Sequence, residues 1–225
     1  MWFENSTTLP ASFWLTLLRQ APGLALMLPM TPDDLLAQRV QWRKERIAAR
    51  IAMSPAERAA ADALLNAKLR VALAGTNEGV LAFYWPIPGE FDARLAVTGW
   101  LDSLDAPNGA RRAVLPVVLA RHQPLRFRAW TPATVMRPAG FGTPFGTQAP
   151  SAGEWLVPTV LVVPLVGFDD AAYRLGYGGG YYDRTLATLT PTPRTIGIGI
   201  GYAAGRLASI HPQSHDLKLD LLIVA

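Results

Sequence analysis

The sequence predicts an α/β protein, a single domain with a mostly parallel sheet flanked by helices. Short strands rich in Val, Leu and Ile alternate with longer helical stretches, the pattern of a sheet covered on both faces by crossover helices. With 225 residues, 50% of them hydrophobic and 17% charged, the chain can bury one full core and is too apolar for disorder. No internal repeat or independent linker divides it. In such sheets ligands sit at the carboxyl ends of the strands.

The elements follow in order. The first thirty residues are strongly apolar around Trp2, Phe3, Phe13–Leu18 and Leu24–Leu28. Arg19, Pro22 and Gly23 break the run, so it falls short of a membrane span. No basic stretch precedes it, so it fits a secretory signal poorly. Residues 1–30 are therefore expected to be an appendage, with Met30 as an alternative start and 31–225 as the functional domain. Thr31-Pro32-Asp33-Asp34 combines a capping hydroxyl, proline at the first helical position and acids in the first turn. A helix is predicted from Pro32 to Ala52. Leu35, Leu36, Val40, Ile47 and Ile51 should lie along one side, and Arg39, Arg43, Lys44, Arg46 and Arg50 on another.

Ser54-Pro55-Ala56-Glu57 is a capping box that should start a second helix ending before Gly75. Val80–Tyr84 reads as a strand, followed by the Pro86–Glu90 loop and a helix to about Leu101. Ala113–Val118 is the next strand, and Leu125–Trp130 an edge strand or hairpin arm. Thr131–Glu154 is rich in Pro, Gly and Thr and too long for a plain connector. Val160–Val163, Arg194–Gly201 and Leu219–Val224 complete the strands. Gly197, Gly199 and Gly201 alternate with isoleucine, which predicts a strand with one bare face against which another backbone or a ligand sits.

The chemistry concentrates in Arg174-Leu175-Gly176-Tyr177-Gly178-Gly179-Gly180-Tyr181-Tyr182-Asp183-Arg184. Gly176, Gly178, Gly179 and Gly180 permit dihedrals that a Cβ forbids and a close backbone approach to a ligand. A helix is expected from Tyr181 through Leu189. A glycine loop opening a helix gathers N–H groups at the positive end of a dipole, which suits phosphate. Asp183 beside phosphate would need a divalent cation or a proton between them. The segment reads as a cradle for a nucleotide with its magnesium. The residues alone also allow a turn between strand and helix with two tyrosines packed inward. Neither the P-loop nor the dinucleotide fingerprint fits.

This run resembles the signature of the 5-formyltetrahydrofolate cyclo-ligase (5,10-methenyltetrahydrofolate synthetase) family. Pro86–Asp92, Pro164–Asp169 and His215–Asp220 resemble the family's other motifs in order and spacing, and the likeness runs from about Leu35 to Val224. The resemblance implies a fold of the NagB/RpiA/CoA-transferase-like type. It implies ATP-dependent cyclisation of 5-formyltetrahydrofolate to 5,10-methenyltetrahydrofolate with release of ADP and phosphate. ATP and Mg2+ would be the cofactors.

The resemblance places Arg174 and Tyr182 at the reacting groups. Arg39, Arg43, Arg174 and Gly176, Tyr177, Gly178, Gly179, Gly180, Tyr181 and Tyr182 would bind the nucleotide. Trp85, Glu90 and Tyr181 would bind the folate, and Asp183 and Asp216 the magnesium. Three departures stand out. Arg39 replaces the family's usual lysine, Trp85 a smaller aliphatic residue, and Gly142-Thr143-Pro144-Phe145-Gly146 a Gly-Ile-Pro-Glu-Pro loop. The alternative is a catalytically altered nucleotide- or folate-binding member of the same fold.

Other classes are disfavoured. The net charge of +4 is mild, and no aromatic-interleaved basic stripe suggests nucleic acid. The absence of cysteine excludes disulfides, zinc fingers and thiol catalysis, and is compatible with the cytoplasm, the expected location. His122, His211 and His215 are too scattered for a zinc motif and read as structural. The expected partner is a small molecule, possibly polyglutamylated, with no nucleic acid or membrane. The expected assembly is a monomer.

Overall fold

Residues 31–76, 79–103, 110–140, 147–189 and 195–225 are described by the computed structural model. The appendage and its Met30 boundary, the Gly142–Gly146 departure and the start of the strand expected from Arg194 lie outside them. The chain divides into two compact units, Met1–Gln38 and Arg39–Ala225, so the first helix crosses the boundary.

Both N-terminal helices begin where their caps place them. Helix α1 spans Pro32–Ile51, and the Thr31 hydroxyl accepts the Asp34 N–H at 3.1 Å. Helix α2 spans Pro55–Ala74. The Ser54 hydroxyl accepts the Glu57 N–H and the Glu57 carboxylate accepts the Ser54 N–H, so two end donors are satisfied reciprocally.

The sheet is built from β1 (Gly79–Ala82), β2 (Arg111–Val117), β3 (Arg126–Trp130), β6 (Val160–Pro164), β9 (Ile196–Gly201) and β10 (Leu221–Val224). Their spatial order is β10-β9-β6-β1-β2-β3. Every pairing is parallel except β2 with β3, which makes β3 the expected hairpin arm at one edge. All five residues of β6 are buried, as a central strand covered on both faces requires. One face carries Leu81, Ala113, Val162 and Ile198 against Leu65, Leu69 and Leu73 of α2 and against helix α3 (Arg94–Leu101). The other carries Ala82, Val114, Leu161 and Val163 with Leu186 of helix α4 (Tyr181–Leu189).

Thr131–Glu154 holds a small antiparallel pair of its own, β4 (Met136–Pro138) with β5 (Gln148–Pro150). A second short pair, β7 (Gly167–Phe168) with β8 (Arg174–Leu175), leads from β6 into the glycine loop. Buried Asp169 ties its turn together by accepting the N–H groups of Tyr173 and Ile210.

Two expectations need correction in part. The bare glycine face of β9 meets side chains at Gly197 and Gly199, and both the backbone and the side chain of Leu165 at Gly201. A Cβ on Gly199 would come within 2.6 Å of Leu219 and 2.9 Å of Leu165. Burial along α1 also departs from a simple apolar stripe. Leu35 is buried and Ile47 half-buried, but Leu36, Val40 and Ile51 are exposed, while Arg39 and Arg50 are buried and Lys44 is exposed. Arginine at 39, 43, 46 and 50 follows one helical face, and each guanidinium finds an acceptor in the folded chain. Their aliphatic stems are covered on this face while the guanidinium heads reach those acceptors.

Candidate active site

Strand order reverses between β1 and β6, since β1 is followed by β2 on one side and β6 lies on the other. Ligands in open α/β sheets occupy the crevice at such a switch point. Two chain segments arrive there, the loop after β1 and the glycine loop after β8.

The first is shaped by its own turn. Glu90 N–H donates to the Ile87 carbonyl at 2.9 Å, and Ile87 N–H donates to Glu90 Oε2 at 3.0 Å. Gly89, at φ +84°, takes a conformation that favours glycine. Trp85 is half-buried, and the Arg94 guanidinium lies 4.5 Å from its ring centroid while paired to Asp92.

The second is the glycine run. Gly178 and Gly180 have φ of +98° and +62°. Gly179 needs no special φ, but a Cβ there would approach the Tyr181 ring to 2.8 Å. Tyr181 leans on the core beneath α4, with the Arg184 guanidinium 5.6 Å from its ring centroid. The Tyr182 ring lies 5.7 Å from the Arg174 guanidinium.

Helix α1 closes this loop from the side. Arg43 Nε donates to the Gly176 carbonyl at 2.8 Å and sits beside Gly178. Arg46 donates to the Ala204 carbonyl, and Arg50 Nη2 to the Tyr177 hydroxyl at 2.8 Å. That hydroxyl donates to Glu90 Oε1 at 2.6 Å, joining the two loops across the switch point. Arg39 meets Asp216 through two hydrogen bonds of 2.8 and 3.0 Å.

The two carboxylates proposed for magnesium come from adjacent segments. Asp183 accepts the N–H of Leu217, the residue after Asp216, at 3.4 Å. Asp183 is ion-paired at 2.9 Å to Nη1 of Arg174, whose side chain is 3% exposed. That contact lacks hydrogen-bond alignment. Nε and Nη1 of Arg174, and Nε of Arg39, Arg46, Arg50, Arg128 and Arg184, have no hydrogen-bond partner among the described residues. Buried guanidinium N–H groups left unmatched are costly, and those of Arg174 and Arg184, at the two ends of the glycine loop, are donors that a polyanion could satisfy. No group of three His, Asp or Glu side chains able to hold a metal occurs among the described residues. Mg2+ is commonly held by one or two carboxylates together with phosphate and water oxygens, the donor type that Asp183 and Asp216 offer.

The electrostatics follow burial. Burial raises Glu90 above the usual carboxylate range, against the Tyr177 hydroxyl, the Ile87 N–H and the Arg50 charge. Burial also pushes the Tyr177 and Tyr182 hydroxyls up, helped by Glu90. Asp216 is pushed up by burial but held below its ordinary value by the Arg39 hydrogen bonds, the Gln213 N–H and nearby positive charge. Arg43 is lowered by burial and by the charge of Arg39.

Thus the fold brings together Arg39, Arg43, Arg174, Gly176–Tyr182, Glu90, Asp183 and Asp216. Trp85 belongs to the same loop as Glu90, at its β1 end. Arg46 and Arg50 were not among the expected site residues. Their signal was the 39, 43, 46, 50 spacing, which only becomes decisive once that face turns inward. His211 is stacked on Trp42, consistent with a structural role.

A sequence profile described as the 5-formyltetrahydrofolate cyclo-ligase family matches residues 36–225. The chain belongs to this family. The family's 5-formyltetrahydrofolate cyclo-ligase from Haemophilus influenzae is 30% identical over 141 residues, 59% of this chain and 71% of that protein. The Mycoplasma pneumoniae enzyme of the same name is 44% identical over 62 residues; that match spans 28% of this chain and 36% of the relative. A solved 5,10-methenyltetrahydrofolate synthetase from M. pneumoniae superposes with a TM-score of 0.63 and 27% identity, over 82% of this chain and 97% of that one. The similarity therefore extends through the switch-point crevice and both loops that meet there.

Proposed function

We infer that this chain catalyses the ATP-dependent cyclisation of 5-formyltetrahydrofolate to 5,10-methenyltetrahydrofolate, with release of ADP and phosphate. The Tyr177–Glu90 hydrogen bond of 2.6 Å carries this reading. It sets the glycine cradle and the carboxylate proposed for the pterin against each other in one crevice. A formamide oxygen is a poor leaving group. Transfer of the γ-phosphoryl group to that oxygen turns it into phosphate, which departs after N10 of the same molecule attacks the formyl carbon. The protein needs no nucleophile of its own; it must align two ligands and balance shifting charge.

The residues divide this work. The glycine loop and the α4 N-terminus hold phosphates, with Arg39, Arg43 and Arg174 neutralising them. Glu90 holds the pterin, Trp85 and Tyr181 supply walls, and Tyr182 lies beside Arg174 at the reacting groups. Asp183 and Asp216 would hold Mg2+, which when bound neutralises phosphate charge and orients the transferred group. Arg174 and Arg39 now pair with these carboxylates, so they are placed to exchange them for phosphate oxygens.

We also assign residues 31–225 to the catalytic domain and 1–30 to a dispensable appendage, and propose that the enzyme acts as a cytoplasmic monomer. The start of the family match at residue 36 supports the first assignment. No helix among the described residues is long and apolar enough to cross a membrane.

The test is the methenyl chromophore formed from 5-formyltetrahydrofolate with and without Mg-ATP. Appearance that requires both ATP and the cation supports the reading, and none at any Mg-ATP concentration refutes it. For the cation, Mn2+ bound in the presence of nucleotide should be weakened by Asp183→Asn and by Asp216→Asn; unchanged Mn2+ affinity removes that residue from the site.

A further inference from the structure

We propose that Arg50 and Tyr177 are positioning residues for the folate, presenting the Glu90 carboxylate to the paired N–H donors of the pterin. The proposal rests on the cyclo-ligase reading. It moves Tyr177 from the nucleotide side of the glycine loop, where its sequence position suggested it belongs, to the folate side.

The direction of each hydrogen bond is fixed by chemistry. A guanidinium has donors only, so Arg50 Nη2 must donate to the Tyr177 oxygen at 2.8 Å. The phenol then has its single proton for Glu90 Oε1, 2.6 Å away. Glu90 Oε2 accepts the Ile87 N–H at 3.0 Å. Each carboxylate oxygen therefore has one neighbour that fixes the group's plane. An ionised carboxylate has about four acceptor positions, so roughly one per oxygen remains for a ligand. Two free acceptor positions on one planar group match two parallel N–H donors, the arrangement of an amino-substituted ring next to a ring N–H.

Arg50 is itself held in place. It is 6% exposed, its carbonyl accepts Arg58 Nη2, and the same Arg58 donates to the Gly89 carbonyl at 3.2 Å. A Cβ on Gly89 would stand 3.4 Å from Arg50 Nε. The relay thus runs from the helix that carries Arg39 and Arg43 to the turn that carries Glu90. Simple packing of Tyr177 explains less. Its ring is in neither hydrophobic cluster, while its hydroxyl has both a donor and an acceptor.

The experiment compares binding of 5-formyltetrahydrofolate and, separately, of Mg-ATP to the full-length protein and to Tyr177→Phe, Arg50→Met and Arg50→Lys. Tyr177→Phe removes one oxygen and should weaken folate binding about 10-fold or more, leaving ATP affinity unchanged. In turnover the loss should fall on KM for the folate more than on kcat. The groups facing Glu90 are Arg50, Tyr177, Tyr84 and Tyr182. With the phenol proton gone, Glu90 should protonate more readily, and the acid limb of folate binding should move to higher pH. Arg50→Met should act in the same direction and Arg50→Lys recover part of the loss. If the parent binds folate and Tyr177→Phe matches its affinity and acid limb, the proposal is wrong even should Arg50→Met fail to fold. A loss of ATP affinity in Tyr177→Phe returns this residue to the nucleotide and also overturns it. A parent protein that binds no 5-formyltetrahydrofolate overturns the functional reading itself.

Discussion

Helices α1 and α2 are both 20 residues long and both begin with proline, yet they dock by opposite chemistry. Helix α2 presents Leu65, Leu69 and Leu73, each 0–1% exposed, to the sheet. From residue 39 onward α1 presents arginines, and leaves Val40 and Ile51 to solvent. Burying a leucine contributes about 1.5–3 kcal/mol. A buried guanidinium gains little net stability even when paired, because desolvation offsets the attraction. The α1 face is therefore a poor way to hold a helix and a good way to hold phosphate. On the proposed reading, the α2 face holds the fold and the α1 face holds the ligands.

Breaking the α2 side should give the largest stability loss. Leu69→Ala leaves a cavity under the sheet and should cost about 2–5 kcal/mol, seen as a lower denaturation midpoint. Below that midpoint, turnover per folded molecule should match the parent.

On the α1 side, Arg39→Met strands the Asp216 carboxylate, whose side chain is only 6% exposed, and should cost up to about 3 kcal/mol. Adding Asp216→Leu removes the stranded charge and should recover most of that loss. Nucleotide binding should stay impaired in both variants. If the double variant is no more stable than Arg39→Met, the pair supports the fold directly and the contrast between the helices weakens.

A smaller effect of opposite sign is expected at Glu90. Its carboxyl value is raised in the folded state, chiefly by burial. Between the ordinary glutamate range and that raised value the folded protein holds more protons than the unfolded chain, so its stability falls as pH rises through this window. Glu90→Gln removes this dependence and should be slightly more stable than the parent at neutral pH, measured by denaturation across pH, while losing folate affinity. An unchanged pH dependence would show that Glu90 is not strained by its setting.

The same contrast explains what could be read from the sequence. Ser54–Glu57, Thr31–Pro32 and the Val- and Leu-rich runs gave helix starts and parallel strands because caps and burial are local or periodic signals. The glycine run by itself allowed either a ligand cradle or a packed turn, and it and Asp216 were placed in the site by their likeness to the family's motifs. The apolar stripe of α1 was only partly a guide to its buried side, since Leu35 is buried but Leu36, Val40 and Ile51 are not. Here the deciding partners, the carbonyls of Gly176 and Ala204, the Tyr177 hydroxyl and Asp216, lie more than a hundred residues away. The leucine filling of the β9 glycines was hidden for the same reason, since Leu165 and Leu219 reach it only through the fold.

The central claim is that the arginine face of α1 serves the ligands rather than the fold, and Arg43, on its nucleotide side, tests it most directly. Its guanidinium reaches the Gly176 carbonyl beside Gly178, so it contacts the cradle without anchoring a carboxylate. Calorimetric titration of Mg-ATP into Arg43→Met and Leu69→Ala, both kept well below their denaturation midpoints, compares the two faces. The expected result is about a 10-fold or greater loss of affinity in Arg43→Met and parent affinity in Leu69→Ala. Parent affinity in Arg43→Met would contradict the account.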